Sequence, residues 1–216
     1  MIEIVKYEPK YRKPVRDCVY ETGYGGESAE CYFEDRELFA DLLILYYTDC
    51  EPESAFVPLV DGEPAGYLLG CVDTVKCDEI TKKEILPGIL KDLMAGKYQT
   101  GPLLRRNLYR AILSEIRKEN IPKPIKEYPA HLHIDLFKPY RRFGIGGRLI
   151  DTYLEYLKGL GIPGVHLGTS TAHTLALPFY EKLGFQRYSV RRLTKSYFKE
   201  LTDRDFYNVV YVKKIR

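Results

Sequence analysis

The stretch PAHLHIDLFKPYRRFGIGGRLIDTYLEYLKGLGIPGVHLGTSTAHTLALPFYEKLGF, residues 129–185, decides the fold. At its centre Arg141-Arg142-Phe143-Gly144-Ile145-Gly146-Gly147-Arg148 lies between an apolar strand, His131 to Leu136, and an amphipathic helix, Gly144 to Leu160. Leu149, Ile150, Tyr153, Leu154 and Leu157 recur there at helical spacing. Gly161-Ile162-Pro163-Gly164 stops that helix, and Val165 to Gly168 reads as a short strand. Ala172 to Leu183 reads as a helix with Leu175, Ala176, Phe179 and Leu183 on one face, and Gly184 suits the left-handed residue past its end. A glycine-rich turn that opens a helix after a strand is an anion cradle. Glycines admit the anion to the backbone, and the first amides of the helix point at it. Arg141, Arg142 and Arg148 suit a ligand with several phosphates.

Upstream, Ile2 to Lys6 reads as a first strand, and Tyr11 to Tyr20 as a helix with Pro14 in its first turn. Thr22 to Ser28 is a glycine-rich loop, either a plain connection or a substrate loop over the site. Glu34 to Tyr47 is a helix with Leu38, Leu42, Leu45 and Tyr46 on its apolar face, flanked by Phe39 and Leu43. Ala55 to Val60 and Ala65 to Val72 form a hairpin around Asp61-Gly62. Residues 73–128 read as a helical insertion, with helices from Ile80 to Met94 and from Leu103 to Ile116. It is too long and apolar for a loop, and Leu103, Leu104, Leu108, Ile112 and Ile116 need something to bury against. Phe185 to Leu193 and Phe206 to Lys213 close the chain as strands, and Thr194 to Asp205 is a polar crossover loop.

With 216 residues, 45% apolar and 29% charged, one globular domain over 1–216 is expected. A net charge of +3 makes no case for nucleic acid. No apolar run reaches membrane-spanning length, and Met1-Ile2-Glu3-Ile4-Val5 is not a signal pattern, so the expected location is cytoplasmic, without a membrane partner. Cys18, Cys31, Cys50, Cys71 and Cys77 are scattered with no C-x-x-C pair. Neither a Cys/His cluster nor a metal site is expected. The 19 tyrosines against no tryptophan are unusual.

Together these residues resemble the GNAT superfamily of N-acetyltransferases. Its acetyl-CoA signature, Gln/Arg-x-x-Gly-x-Gly/Ala, stands here as Arg141-Arg142-Phe143-Gly144-Ile145-Gly146. A second signature, Tyr-x-x-Leu-Gly-Phe, stands as Tyr180-Glu181-Lys182-Leu183-Gly184-Phe185. The strand His131-Leu132-His133-Ile134-Asp135 and the run Gly164-Val165-His166-Leu167-Gly168 look like a subgroup similar to the acetyltransferase-like domain of O-GlcNAcases. The resemblance implies an α/β (α+β) fold: a mixed, mostly antiparallel sheet with helices on both faces and the helical insertion. It places acetyl-CoA where two parallel strands, His131 to Leu136 and Val165 to Gly168, splay apart.

The same resemblance assigns roles. The backbone of Ile134, Asp135 and Leu136 pairs with the pantetheine arm. The amides from Arg142 to Gly147, including Phe143, Gly144, Ile145 and Gly146, hold the pyrophosphate beside Arg141 and Arg148. His173 stands where relatives have a pantetheine-binding asparagine. Tyr180 protonates the departing thiolate. The family's glutamate base is replaced by Gly168. The family's His-x-His pair is one residue out of register at His131 and His133, which a bulge would correct; Pro139 of the connecting loop is also one place late.

Acetyl transfer to an amine needs alignment, a stabilised carbonyl oxygen, a base and an acid. Alignment is worth up to about 7–11 kcal/mol for an ideally oriented pair, and a base roughly 10²–10⁴ in rate. Candidate bases are His133, Asp135 and His131, which share one face of their strand; Asp135 needs burial to serve. His166 reads as structural. The expected function is an acetyl-CoA-dependent N-acetyltransferase acting on a small-molecule or peptide amine. The alternative is a non-catalytic acyl-CoA-binding module. The insertion walls the acceptor side of the cleft, forms the subunit interface of a homodimer, or is a simple structural cover.

Overall fold

The computed structural model describes residues 1–116, 123, 125–193 and 206–215. In chain order its elements are β1 (Ile2–Lys6), α1 (Arg12–Thr22), α2 (Arg36–Leu45), β2 (Ala55–Val60), β3 (Glu63–Pro64), β4 (Gly66–Cys71), α3 (Thr74–Ile80), α4 (Leu86–Met94), α5 (Pro102–Ile116), β5 (Ala130–Leu136), α6 (Ile145–Gly159), β6 (Gly164–Ser170), α7 (Ala176–Lys182), β7 (Gln186–Leu193) and β8 (Phe206–Lys214). The sheet runs β1-β2-β4-β5-β6-β8-β7, with β3 on β2. Among the described residues β5 and β6 are its one parallel pair.

Local chemistry explains most boundaries. Asp61 and Gly62 sit at φ of 51° and 89°, the two left-handed residues a tight hairpin turn requires. Asp35 caps α2 by accepting from the Leu38 amide at 2.7 Å. Pro14 falls in the first turn of α1 and Pro178 in that of α7, where a missing N–H costs nothing.

Strand alternation divides the core between the two faces of the sheet. On one face α1 and α2 cover Val57, Leu59, Tyr67, Leu69 and Cys71. On the other, α6 and α7 cover Phe56, Leu68, Leu132, Leu167 and Tyr211. Tyrosine serves as core filler that also satisfies buried polar groups. Tyr20 donates to the Phe33 carbonyl, Tyr46 to Glu51, Tyr67 to Asp135 and Tyr98 to Asp41. That is a structural account of the tyrosine excess.

Several expectations need correction. The first insertion helix begins at Thr74, not Ile80, because Asp73 caps it by accepting from Val75 and Lys76; a wider turn, Thr81–Ile85, then carries it into α4. Leu38 and Tyr46 are buried as expected, but Leu42 and Leu43 of α2 are exposed, and Ala40 and Ile44 are buried beside Phe39 instead. Leu108 of α5 is also exposed, whereas Asn107 is buried. The reason is polar anchoring: Glu34 accepts from the Leu103 and Leu104 amides at 2.6 and 2.9 Å, and Asn107 donates to the Tyr32 carbonyl. The side chains of Ile112 and Ile116 and the loop Thr194 to Asp205 lie outside the described residues. α7 is shorter than expected, since residues 172–175 form turns and Leu175 is exposed. The β4–β5 register is regular from Gly66↔Leu136 to Cys71↔His131, so no bulge re-aims His131 and His133.

One close approach fixes the sheet against α6. Tyr153 is fully buried, and its hydroxyl lies 3.0 Å from the carbonyls of both Cys71 and His131. A Cβ on Gly70 would stand 2.2 Å from the Tyr153 ring. Gly70→Ala is therefore expected to destabilise the chain by about 1–3 kcal/mol through overpacking, read as a fall in the urea midpoint. An unchanged midpoint would show that the ring can yield.

Candidate active site

The site begins where the sheet opens. β5 and β6 pair only at Ala130↔Val165 and His131↔His166, although each strand runs on to Leu136 and Ser170. β5 keeps β4 along its length, and β6 keeps β8. The Phe137 amide donates to Ala65 at 3.0 Å. Antiparallel alternation then turns the peptide groups of His131, His133 and Asp135 toward β4, and those of Leu132, Ile134 and Leu136 toward the gap. Ile134 therefore offers both its N–H and its carbonyl to a ligand there, and Leu136 its N–H, since its carbonyl is taken by Arg141. Asp135 offers neither, which corrects its expected backbone role.

The cradle stands at the open end of the gap. Arg142 and Gly144 sit at φ of 70° and 78°, flanking Phe143, and α6 starts at Ile145. Alternate left-handed residues turn successive amides inward, an anion-binding nest. The Ile145, Gly146 and Gly147 amides lie in the first turn and have no acceptor within the helix. Two of the three glycines have a steric or conformational reason. A Cβ on Gly146 would stand 3.1 Å from the Phe179 ring, and one on Gly144 would meet nothing but would sit at the unfavourable φ. Arg142 and Arg148 are exposed beside the nest. The residues present thus fit a pyrophosphate.

Arg141 behaves differently. It donates to the Leu136 carbonyl and to the Gly26 carbonyl, both at 2.9 Å. It is a clasp that holds the loop of residues 23–28 over the end of β5, and the Lys138–Glu27 ion pair closes the same loop beside it. Sequence reasoning missed this clasp. Its signal was the glycine run itself, Gly25-Gly26, both at positive φ.

Asp135 and Tyr180 carry the strongest perturbations near the cradle. Burial raises the Asp135 carboxyl to about 7, against the Tyr67 hydroxyl that donates to it at 3.1 Å and the nearby Arg141 charge. Tyr180 is buried, and its pKa is raised by burial and then by the charge of Asp135. Among the described residues its hydroxyl has no hydrogen-bond partner. Asp135 thus sits near the pH at which a base works best, and Tyr180 keeps its proton. Tyr67, missed in the sequence, is the hydroxyl that donates to that carboxyl; only its register opposite Asp135 could have shown it.

Beside this pair lies a cavity of about 580 Å³ on the α2 face of β5, β6 and β8. All four histidines of the chain line it, and its walls stop short of Asp135 and Tyr180. The insertion contributes Cys77, Asp78, Thr81, Ile85 and Lys123 to its wall. The histidines divide by chemistry. Thr74 donates to the Pro129 carbonyl at 2.6 Å, so its oxygen accepts from His131 Nδ1 at 2.7 Å; the Tyr47 hydroxyl then donates to Nε2 at 2.6 Å. His131 is a neutral, satisfied core residue and not a base. His166 donates from Nδ1 to the Tyr128 carbonyl at 2.7 Å and is structural. His133 is accessible from the cavity yet closely surrounded by protein; lost hydration and the Lys123 charge lower it to about 4. That makes it a weaker base than Asp135. His173 is half-buried near Gly26 and is lowered by burial and by Arg141.

The expected lack of a Cys/His cluster is also corrected. Cys71, Cys77 and His131 are buried together, with donor atoms all within 4.8 Å of one another. Residues 71 and 131 face each other across the β4–β5 ladder, a contact that sequence spacing cannot express.

These shifts fix the pH response. All four histidines are lowered mainly by burial, so below about 6.5 the unfolded chain holds more protons and stability is lost. Asp135 acts oppositely: between about 4 and 7 the folded chain holds the extra proton, and stability falls as pH rises. With four groups against one, Tm is expected to fall on acidification from pH 7 to 5, and to fall more steeply in Asp135→Asn. A Tm that rises over that interval would contradict the buried placement of the histidines.

Known proteins share this architecture. Residues 115–185 match the model of the acetyltransferase (GNAT) family. The structure is similar to that of SsHAT over 100% of this chain and 98% of that one, at 27% identity and a TM-score of 0.74. It is also similar to Ard1 from Thermoplasma volcanium (16% identity, 100% and 98% covered, TM-score 0.56) and to yncA from Salmonella typhimurium, a structure holding its cofactor acetyl-CoA (8% identity, 100% and 95% covered, TM-score 0.61). The strand–cradle–helix–tyrosine segment thus matches the GNAT acetyltransferase family, and the whole chain has the GNAT fold.

Proposed function

We propose that the chain is an acetyl-CoA-dependent N-acetyltransferase acting on a small-molecule or peptide amine. The observation that carries this reading is the juxtaposition at one gap of an anion nest, cleft-facing peptide groups and the Asp135–Tyr180 pair. The nest of residues 142–147, with Arg148, would hold the pyrophosphate. Ile134 and Leu136 would hold the pantetheine arm, with His173 near its path. The bound cosubstrate supplies an acetyl group on a thioester. Asp135, with its carboxyl near 7, takes the proton of the acceptor amine. Tyr180 gives its phenolic proton to the leaving sulfur. The cleft-facing Leu136 amide can donate to a developing oxyanion, and losing one such donor typically costs about 10²–10³ in rate. His133 takes no proton in this scheme and lines the acceptor cavity.

The insertion supplies part of that cavity's wall, which supports its reading as the acceptor side of the cleft. Likeness to the acetyltransferase-like domain of O-GlcNAcases adds a sugar hydroxyl to the acceptor classes worth testing. Cytosolic placement and a homodimer belong to the same reading; fractionation and light scattering test them.

Titration calorimetry is expected to show acetyl-CoA binding that Tyr180→Phe and Asp135→Asn leave intact. Screening amines, peptides and sugars for CoA release is expected to find turnover in the wild type. Asp135→Asn should lower it by about 10²–10⁴. The kcat/KM of the wild type should rise through about pH 7 as Asp135 ionises. Absence of acetyl-CoA binding would sink the reading. Tight binding with no turnover on any acceptor would favour the second reading, an acyl-CoA-binding module, which His173 at the usual asparagine position supports.

A further inference from the structure

The Cys71, Cys77 and His131 cluster takes no part in the chemistry above. We propose that these three residues form a binding site for one divalent ion of the zinc class, its fourth position open to the histidine-lined cavity. Three separate elements converge to build it. Cys71 ends β4, His131 stands directly across from it on β5, and Cys77 comes from α3 of the insertion. All three are buried.

The donor set selects the ion. Two thiolates and an imidazole suit zinc or cobalt, and not magnesium or calcium, which take oxygen. Charge balance suits the buried setting. Binding removes one proton from each thiol to solvent, and two thiolates then cancel the ion's two positive charges. A formally neutral centre avoids the cost of a buried net charge. The imidazole is already neutral, as a ligand must be. Its Nδ1–H is held by Thr74, so the lone pair is on Nε2. Nε2 now accepts from the Tyr47 hydroxyl. An ion would take that lone pair and release the hydroxyl.

The scaffold is fixed beforehand. Asp73 caps α3, and Thr74 is tied to Pro129 through both its amide and its hydroxyl, so the helix that carries Cys77 is bolted to the residue before β5. The Tyr153 hydroxyl supports the carbonyls of Cys71 and His131 from below. The present spread, up to 4.8 Å, must close to roughly 3.8 Å between sulfurs for tetrahedral zinc bonds of about 2.3 Å. Side-chain rotation supplies that. An entry path exists, because Cys77 and His131 both line the cavity. Among the described residues no fourth ligand of the same kind joins the three, which leaves one position for water or an acceptor group.

The test uses freshly reduced full-length protein stripped with a chelator, with cobalt(II) as the probe. One cobalt per chain is expected, with a thiolate-to-cobalt charge-transfer band that added zinc abolishes. Zinc is expected to raise Tm. Cys71→Ser and Cys77→Ser should each lose at least half of the band, with circular dichroism checking that they fold. Replacing the exposed Cys31 and Cys50 by serine should leave it intact. No charge-transfer band in reduced wild-type protein overturns the proposal, a result that needs no variant to fold. So does loss of the band in the Cys31/Cys50 control. Recovery of two thiols only after reduction, without cobalt uptake, would make the pair a redox couple and also overturn it.

Discussion

The ladder between β5 and β6 stops after two residue pairs, and the rest of the site depends on that stop. Each strand is committed elsewhere along its length, β5 to β4 and β6 to β8. The sheet is therefore two half-sheets joined at a short seam. Past the seam the inner edge of β5 presents the N–H and carbonyl of Ile134 and the N–H of Leu136 without a strand to receive them, the Leu136 carbonyl being held by Arg141. Unpaired backbone in a protein interior is costly, so such an edge is kept where a ligand or water completes it. The gap leads to the nest on one side and to the histidine-lined cavity on the other.

One strand face shows how burial sorts side chains of similar chemistry. His131, His133 and Asp135 alternate along β5 and point the same way, yet meet three fates. His131 is closed between Tyr47 and Thr74 and has no free nitrogen. His133 faces open cavity but is surrounded closely enough to lose its basicity. Asp135 loses hydration, and the Tyr67 hydroxyl, the Arg141 charge and Thr22 only partly offset that loss, so its carboxyl rises to where it can exchange protons at neutral pH. The ordering reverses the sequence-level preference for histidine as base. Side-chain type set the candidates, and solvation chose among them.

What was legible in the sequence follows from range. The nest, the αL residue Gly184 after α7, the hairpin at Asp61-Gly62 and the terminal tyrosine motif are local, and residue identity decides them. The splay was legible only through the family resemblance. What sequence could not carry was contact between distant segments. Arg141 reads as a phosphate ligand until the Gly26 carbonyl, 115 positions away, is seen to occupy it. Cys71, Cys77 and His131 read as scattered until the β4–β5 register joins them. Leu108 reads as core until Glu34 anchors its helix by the N-terminal amides. In each case a polar contact of long sequence separation overrode a local pattern.

In the proposed complex the splayed edge of β5 receives the acetyl-CoA arm through backbone pairing. Amide hydrogen exchange resolved at single residues tests it most directly. The Ile134 and Leu136 amides are expected to exchange fast in the free chain and to slow markedly when acetyl-CoA is added. The Asp135 amide, turned toward β4, should be slow in both states and serves as the internal reference. Binding of acetyl-CoA with Ile134 and Leu136 left unprotected would contradict the account.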